Sequence, residues 1–213
     1  MIDIQKFVFN PFKENTYVIW DPEKKESVVV DPGCYSSKEE NEISNFISEE
    51  NLNVKYLINT HCHIDHVLGN SFIKEKYHCE FLAPEKDLPL LHNLVNQAEM
   101  FGVNAKRSPE PDNFLRENLH LNLGNNIIDF LFTPGHTPGE YCLLFNSENI
   151  CISGDVLFLD SIGRTDLWGG DYLTLLESIS SKLFVLPDET TIYPGHGDIT
   201  TIGYEIENNP FLK

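Results

Sequence analysis

The chain has 213 residues, 41% hydrophobic and 11% aromatic, which suits one packed domain over 1–213 of layered α/β type. Fifteen Lys and Arg against 33 Asp and Glu give a formal charge of −18, a balance that disfavours nucleic acid and anionic membrane surfaces as partners. A small anionic substrate is not excluded, because charges beyond a Debye length of roughly 8 Å are largely screened.

Met1-Ile2-Asp3-Ile4 opens a short apolar–polar alternation without a basic or long apolar stretch, so no secretory signal is predicted. Every apolar run is strand-sized, which predicts no membrane span. The runs Ile2–Phe9, Thr16–Trp20 and Ser27–Val30 read as strands separated by Asn-Pro, Asp-Pro and Asp-Pro-Gly turns. Ser37-Lys38-Glu39-Glu40 has the form of a capping box, followed by Ile43, Phe46 and Ile47 on one helical face. Val54–Asn59 reads as a buried strand that runs into Thr60-His61. Helices are expected over Asn70–Tyr77 and Leu88–Phe101, the second with Leu91, Leu94, Val95 and Ala98 apolar, and a short strand at Cys79–Leu82 lies between them. The polar stretch 102–117 reads as a loop, and 88–117 is a candidate lid. Strands resume at Leu119–Leu123, Ile127–Phe132, Tyr141–Phe145 and Ile150–Ser153. A helix over Asp171–Phe184 is capped by Asp171, with Tyr172, Leu176, Ile179 and Leu183 on one side, and Thr191–Tyr193 is the last strand. Five cysteines (Cys34, Cys62, Cys79, Cys142, Cys151), odd in number and without CxxC spacing, fit reduced thiols in a cytoplasm.

Chemistry concentrates in His61-Cys62-His63-Ile64-Asp65-His66, with Gly135-His136, Gly154-Asp155 and Gly195-His196 far downstream. Imidazole and carboxylate together suit zinc, iron or manganese, and seven such donors exceed what one tetrahedral ion can use. Four candidate donor segments follow predicted strands, so rigid backbone can deliver them to one rim, and the glycines fit sharp turns or close backbone approach before each donor. His61 and His63 alternate and can face one ion, completed by His136. Asp65 and His66 can face a second, completed by His196, while Asp155 bridges the two. Two such ions lower the pKa of a shared water toward about 7 and stabilise an oxyanion, which points to a hydrolase using a metal-bridging hydroxide. Asp65 can also orient that nucleophile, so Asp65 and Asp155 are the catalytic candidates. His78, His92 and His120 lack this context and are assigned to surface or core, and Cys62 to packing.

These motifs resemble the metallo-β-lactamase superfamily: HxHxDH, then a single His, a single Asp and a final His, in that family's order. The likeness spans essentially the whole chain, including Val29-Val30-Asp31-Pro32-Gly33. It implies a four-layer αββα sandwich with metals at one edge, and Asp31 as a residue near the metals that is not a ligand. Gly154-Asp155-Val156-Leu157-Phe158 and Ser161-Ile162-Gly163-Arg164-Thr165-Asp166-Leu167 are similar to the substrate loop of the glyoxalase II-like branch. Arg164 falls where hydroxyacylglutathione hydrolases carry a Lys, and Asp166 where they carry a Tyr. The chain ends soon after His196, without their C-terminal helical domain. The implied activity is hydrolysis of a small hydroxyacyl thioester with two divalent ions, zinc first and iron or manganese as alternatives, and Arg164 either binds a carboxylate of the thiol portion or forms a surface salt bridge. Persulfide dioxygenases are also similar, through Gly163–Asp166, and imply the alternative of a single iron held by His61 or His63, His136 and Asp155. Secreted β-lactamases resemble the chain less, since they usually lack a His at the position of His66. A non-catalytic metal-binding or interaction protein is the third possibility, against which the complete donor set argues.

Overall fold

Three apolar runs open the chain as an antiparallel meander: β1 (Asp3–Phe9), β2 (Glu14–Trp20) and β3 (Glu26–Val30). Parallel strands β4 (Asn53–Ile58), β5 (Glu80–Ala83) and β6 (Asn113–Phe114) extend the same sheet in the order β1-β2-β3-β4-β5-β6. This computed structural model describes residues 1–213 and divides into two compact units, 1–114 with 122–126 and 115–121 with 127–213. The meander and the parallel strands belong to the first.

Helix α1 (Ser37–Glu49) links β3 to β4, as a parallel connection requires. Its cap lies one residue before the expected Ser37. Ser36 is extended, its side chain accepts from Glu39 N, and the Glu39 carboxylate accepts from Ser36 N at 3.1 Å. Two adjacent serines each precede a glutamate by three residues, so local spacing alone could not choose between them. Ile43 and Ile47 are fully buried on the inner face, each contributing about 1.5–3 kcal/mol relative to exposure. Short α2 (Ile64–Val67) and α3 (Asn70–Tyr77) follow β4. The helix expected over 88–101 is two, α4 (Leu88–His92) and α5 (Leu94–Phe101), because the backbone of Asn93 leaves the helical region. Leu91, Leu94 and Ala98 are buried as expected, but Val95 faces solvent. The stretch 102–117 is not all loop: Asp112 N donates to Phe81 O and Leu82 pairs with Asn113, forming β6.

The second sheet has the order β14-β13-β10-β9-β8-β7. Its strands are β7 (His120–Leu123), β8 (Asn126–Phe132), β9 (Tyr141–Phe145), β10 (Ile150–Gly154), β13 (Thr191–Pro194) and β14 (Thr200–Thr201). A small hairpin, β11 (Leu157–Phe158) with β12 (Ser161–Ile162), follows β10. Helix α6 (Tyr172–Ser178), capped by the Asp171 carboxylate on Thr174 N, continues as a wider turn over Ile179–Leu183. Its buried face is Leu175, Ser178, Ile179 and Leu183; the expected Tyr172 lies outside it and is exposed. Helix α7 (Ile202–Asn208) was not anticipated from the apolar spacing. Each unit has its own apolar cluster, one around Ile43, Leu57 and Phe81, the other around Leu144, Leu175 and Ile192. No helix is long and apolar enough to cross a membrane, and all five cysteines are free and buried.

Candidate metal centre

In the first unit, neighbouring parallel strands deliver the donors. Val30 on β3 pairs with Ile58 on β4, and Asp31 N donates to Ile58 O at 2.9 Å, so Asp31 stands beside Thr60-His61. Asp31 has φ 48°, a left-handed conformation that Asp tolerates better than most residues. Its Oδ1 accepts from Thr60 N at 2.7 Å, and its Oδ2 from Thr60 Oγ1 at 2.6 Å and from His66 Nδ1 at 3.2 Å. A carboxylate only accepts here, so His66 carries its proton on Nδ1, which leaves the lone pair on Nε2, the form a metal ligand needs. Thr60 has given its hydrogen to Asp31 and therefore accepts from His61 Nδ1, 3.0 Å away, which orients His61 the same way.

His63 is the residue before α2, and that turn of helix places Asp65 and His66. The His61 ring lies 4.1 Å from the His66 ring and 5.0 Å from that of His63, centroid to centroid. Asp65 Oδ2 lies 3.7 Å from His66 Nε2. The surroundings are fixed by buried amides: Asn59 Nδ2 donates to His66 O, Asn59 pairs with Asn70, and Asn10 Nδ2 donates to Asp65 O. Cys62 packs in the apolar cluster, as expected, with its N–H on Asp87 Oδ2.

In the second unit, parallel pairing of β10 with β13 brings the segments carrying Asp155 and His196 side by side, and Gly195 N donates to Gly154 O at 2.7 Å. His136 follows Gly135, whose φ is 137° and where a Cβ would lie 2.4 Å from the Leu175 backbone; only glycine lets α6 approach this turn. Gly154 also has a positive φ, whereas Gly195 does not, so the expected glycine role at 195 is close backbone pairing and not a left-handed turn. His136 Nδ1 donates to Arg164 O at 2.7 Å, again leaving Nε2 for a ligand. Asp155 Oδ2 lies 3.6 Å from both His136 Nε2 and His196 Nε2. Two atoms each about 2.0–2.1 Å from one tetrahedral ion are about 3.3–3.4 Å apart, so both spacings approach those of shared ligands, and the donor chemistry fits zinc or a similar divalent ion.

Arg164 points its guanidinium at Asp166, Nε and Nη2 each 2.7 Å from a carboxylate oxygen. That pair holds the exposed Asp166 carboxyl down at about 2. His92 and His120 are exposed and paired with Glu110 and Asp129, and His78 ends α3 in a left-handed conformation, so all three lie at the surface.

Sequence reasoning missed several supporting residues. Glu140 is fully buried and its Oε1 accepts from Asp155 N at 2.7 Å, holding the main chain of that donor. Glu14 is fully buried beside Thr16, and burial pushes its carboxyl well up. Thr60, Asn59 and Asn70 form the backing of the histidines. Most of these contacts join residues far apart in the chain, where no local spacing could reveal them.

Two six-stranded mixed sheets and clusters of imidazole and carboxylate at their strand ends define an α/β protein of metallo-hydrolase type. The chain belongs to the metallo-beta-lactamase superfamily, to which residues 9–196 match, and it has that superfamily's fold. It is 38% identical to the hydroxyacylglutathione hydrolase GloC of Haemophilus influenzae, over 100% of this chain and 99% of that one. The crystal structure of the B3 metallo-beta-lactamase BLEG-1 superposes with a TM-score of 0.90 at 32% identity, covering 99% of this chain and 100% of that one. The structure of TTHA1623 in a di-iron-bound form gives a TM-score of 0.87 at 32% identity, covering 98% and 100%.

Proposed function

We propose that residues 1–213 act as one hydrolase domain that cleaves a small hydroxyacyl thioester. In this reading His61, His63, Asp65, His66, His136, Asp155 and His196 bind two divalent ions, zinc first, with iron or manganese as alternatives. The observation that carries it is the shared polarity of the imidazoles: His61, His66 and His136 each have Nδ1 committed to a fixed acceptor and present Nε2. The equal 3.6 Å spacing of Asp155 Oδ2 from two imidazoles supports its bridging role.

When bound, such a pair of ions supplies a water that is deprotonated near neutral pH and a positive anchor for a developing oxyanion. The chain's own groups do the rest. Asp65, beside His66, accepts the hydrogen bond that orients the attacking water. Glu140, by accepting from Asp155 N, fixes the main chain from which the Asp155 carboxylate extends. Arg164 binds a carboxylate of the thiol portion: Asp166 occupies Nε and Nη2, which leaves Nη1 to donate. Likeness to GloC supports the thioester, and the di-iron form of TTHA1623 supports two ions and the acceptance of iron. Five buried free thiols suit a reducing cytoplasm, and the charge of −18 argues against nucleic acid or membrane partners.

The test is turnover of S-lactoylglutathione and a simpler acyl-thiol by protein of measured metal content, with glutathione persulfide under an oxygen electrode and a β-lactam as parallel substrates. The expected result is free thiol without oxygen uptake, at two ions per chain. Sulfite formation with oxygen uptake at one iron per chain would replace this reading by a persulfide dioxygenase. Hydrolysis of the β-lactam alone would replace it by the activity named for BLEG-1.

A further inference from the structure

We infer that Glu205, on α7, is a positioning residue for the metal donors of the second unit, acting through the β11–β12 hairpin. This rests on His136, Asp155 and His196 being donors, and is independent of the substrate. The hairpin and the turn that follows touch all three. It starts two residues after Asp155, and the Phe158 ring meets the His196 ring edge-on, centroids 6.3 Å apart. The turn ends at Arg164, whose carbonyl takes the Nδ1 proton of His136. Gly163 closes the loop by donating to Val156 O, and a Cβ there would lie 1.9 Å from Asp155 O. A displaced hairpin therefore disturbs every donor of this unit at once.

The hairpin has only two residue pairs, too few to be firmly placed without an outside anchor. Asp160 at its tip has φ 56°, a left-handed conformation that Asp can adopt. Glu205 supplies the anchor. Its carboxylate is fully buried and accepts from Asp160 N at 3.3 and 3.2 Å, from Thr200 Oγ1 at 2.5 Å and from Asn209 Nδ2 at 2.7 Å. Asn209 Nδ2 also donates to Ser161 O at 3.1 Å, and Tyr204 OH to the Asp160 carboxylate at 3.1 Å. Three side chains from the C-terminal helix and its cap thus grip two adjacent hairpin residues. A buried carboxylate satisfied in this way is a weak source of net stability but a strong source of fixed geometry.

The experiment follows the His136 Nδ1–H resonance, amide exchange at Asp160 and zinc affinity in the full chain, with zinc bound and after chelation. In Glu205→Ala, Asp160 exchange should quicken by about 10- to 100-fold, the loss of a hydrogen bond to a charged group. The His136 Nδ1–H signal should broaden or vanish, and zinc affinity should fall about 10-fold or more. Glu205→Gln keeps a carbonyl oxygen for Asp160 N and should restore most of all three, which a general loss of packing would not. A folded Glu205→Ala protein with an unchanged His136 signal and unchanged zinc affinity would overturn the inference. If that variant does not fold, Asn209→Ala, which cuts the Ser161 tie and one support of the carboxylate, decides by the same readouts. Positive results in a chain with no thioesterase activity would reject the proposed substrate and leave this role for Glu205 standing.

Discussion

Replacing Asp31 by Asn should reverse the polarity of the hydrogen-bond chain behind His61 and His66, two of the proposed metal ligands. The amide is isosteric, and its oxygen must face Thr60 N, because an NH2 group there would meet another donor at 2.7 Å. The new NH2 then replaces Oδ2, which had accepted from Thr60 Oγ1 and His66 Nδ1. His66 can no longer keep its proton on Nδ1 against a donor, so the proton moves to Nε2 and blocks coordination. Thr60, now an acceptor from the amide, turns its hydroxyl hydrogen to His61 Nδ1 and drives the same tautomer change there. Two hydrogen bonds to a charged acceptor are lost or exchanged for neutral ones, a difference of about 2–3 kcal/mol in total. At this chain length that is a fall of roughly 4–12 °C in Tm. Metal affinity should fall at least about 10- to 100-fold, the usual effect of losing the partner of a ligating histidine. Chelator competition measures the affinity, and imidazole nitrogen resonances in labelled protein report the tautomers. Wild-type affinity with both protons still on Nδ1 would refute the reasoning.

Other outcomes follow from the same geometry. Asp155→Ala should abolish turnover and lower the metal content below two ions per chain; a variant that keeps both ions and its activity rules out the bridging role. Arg164→Ala should raise KM for a carboxylate-bearing acyl-thiol by up to about 5-fold with kcat nearly unchanged, since an exposed ion pair contributes about 1 kcal/mol or less; an equal fall in kcat would show a different role. The Asp166 carboxyl, held at about 2 by Arg164, has a folded value below its ordinary one. Its pairing is therefore present above the ordinary carboxylate range and is lost as pH falls through about 2. Carbon-13 titration should find that midpoint, and it should rise toward the usual value in Arg164→Ala.

The donor types, their order and the strand before most of them were legible in the residues alone. His61-Cys62-His63-Ile64-Asp65-His66 follows β4 after Asn59 and Thr60, and a six-residue cluster needs no tertiary information to be noticed. The strand periodicities also came through, because alternation and β-branched runs are local properties. Local rules failed where two readings were equally good, as at Ser36 and Ser37, or where the backbone broke without proline, as at Asn93. The pairing that makes β6 depends on Phe81 and Leu82, more than 25 residues earlier, so the polar composition of 102–117 gave no sign of it.

Only the tertiary structure assigned protons and anchors. Asp31 backs His66 across 35 residues, Arg164 O orients His136 across 28, and Glu140 holds Asp155 across 15. Arg164 illustrates the division. Its residue type suggested a carboxylate ligand, and the fold shows that its side chain already holds one on Asp166 while its carbonyl sets the tautomer of a histidine. Sequence specifies which chemical groups are available; which nitrogen of an imidazole stays bare is fixed by partners that chain folding brings from elsewhere.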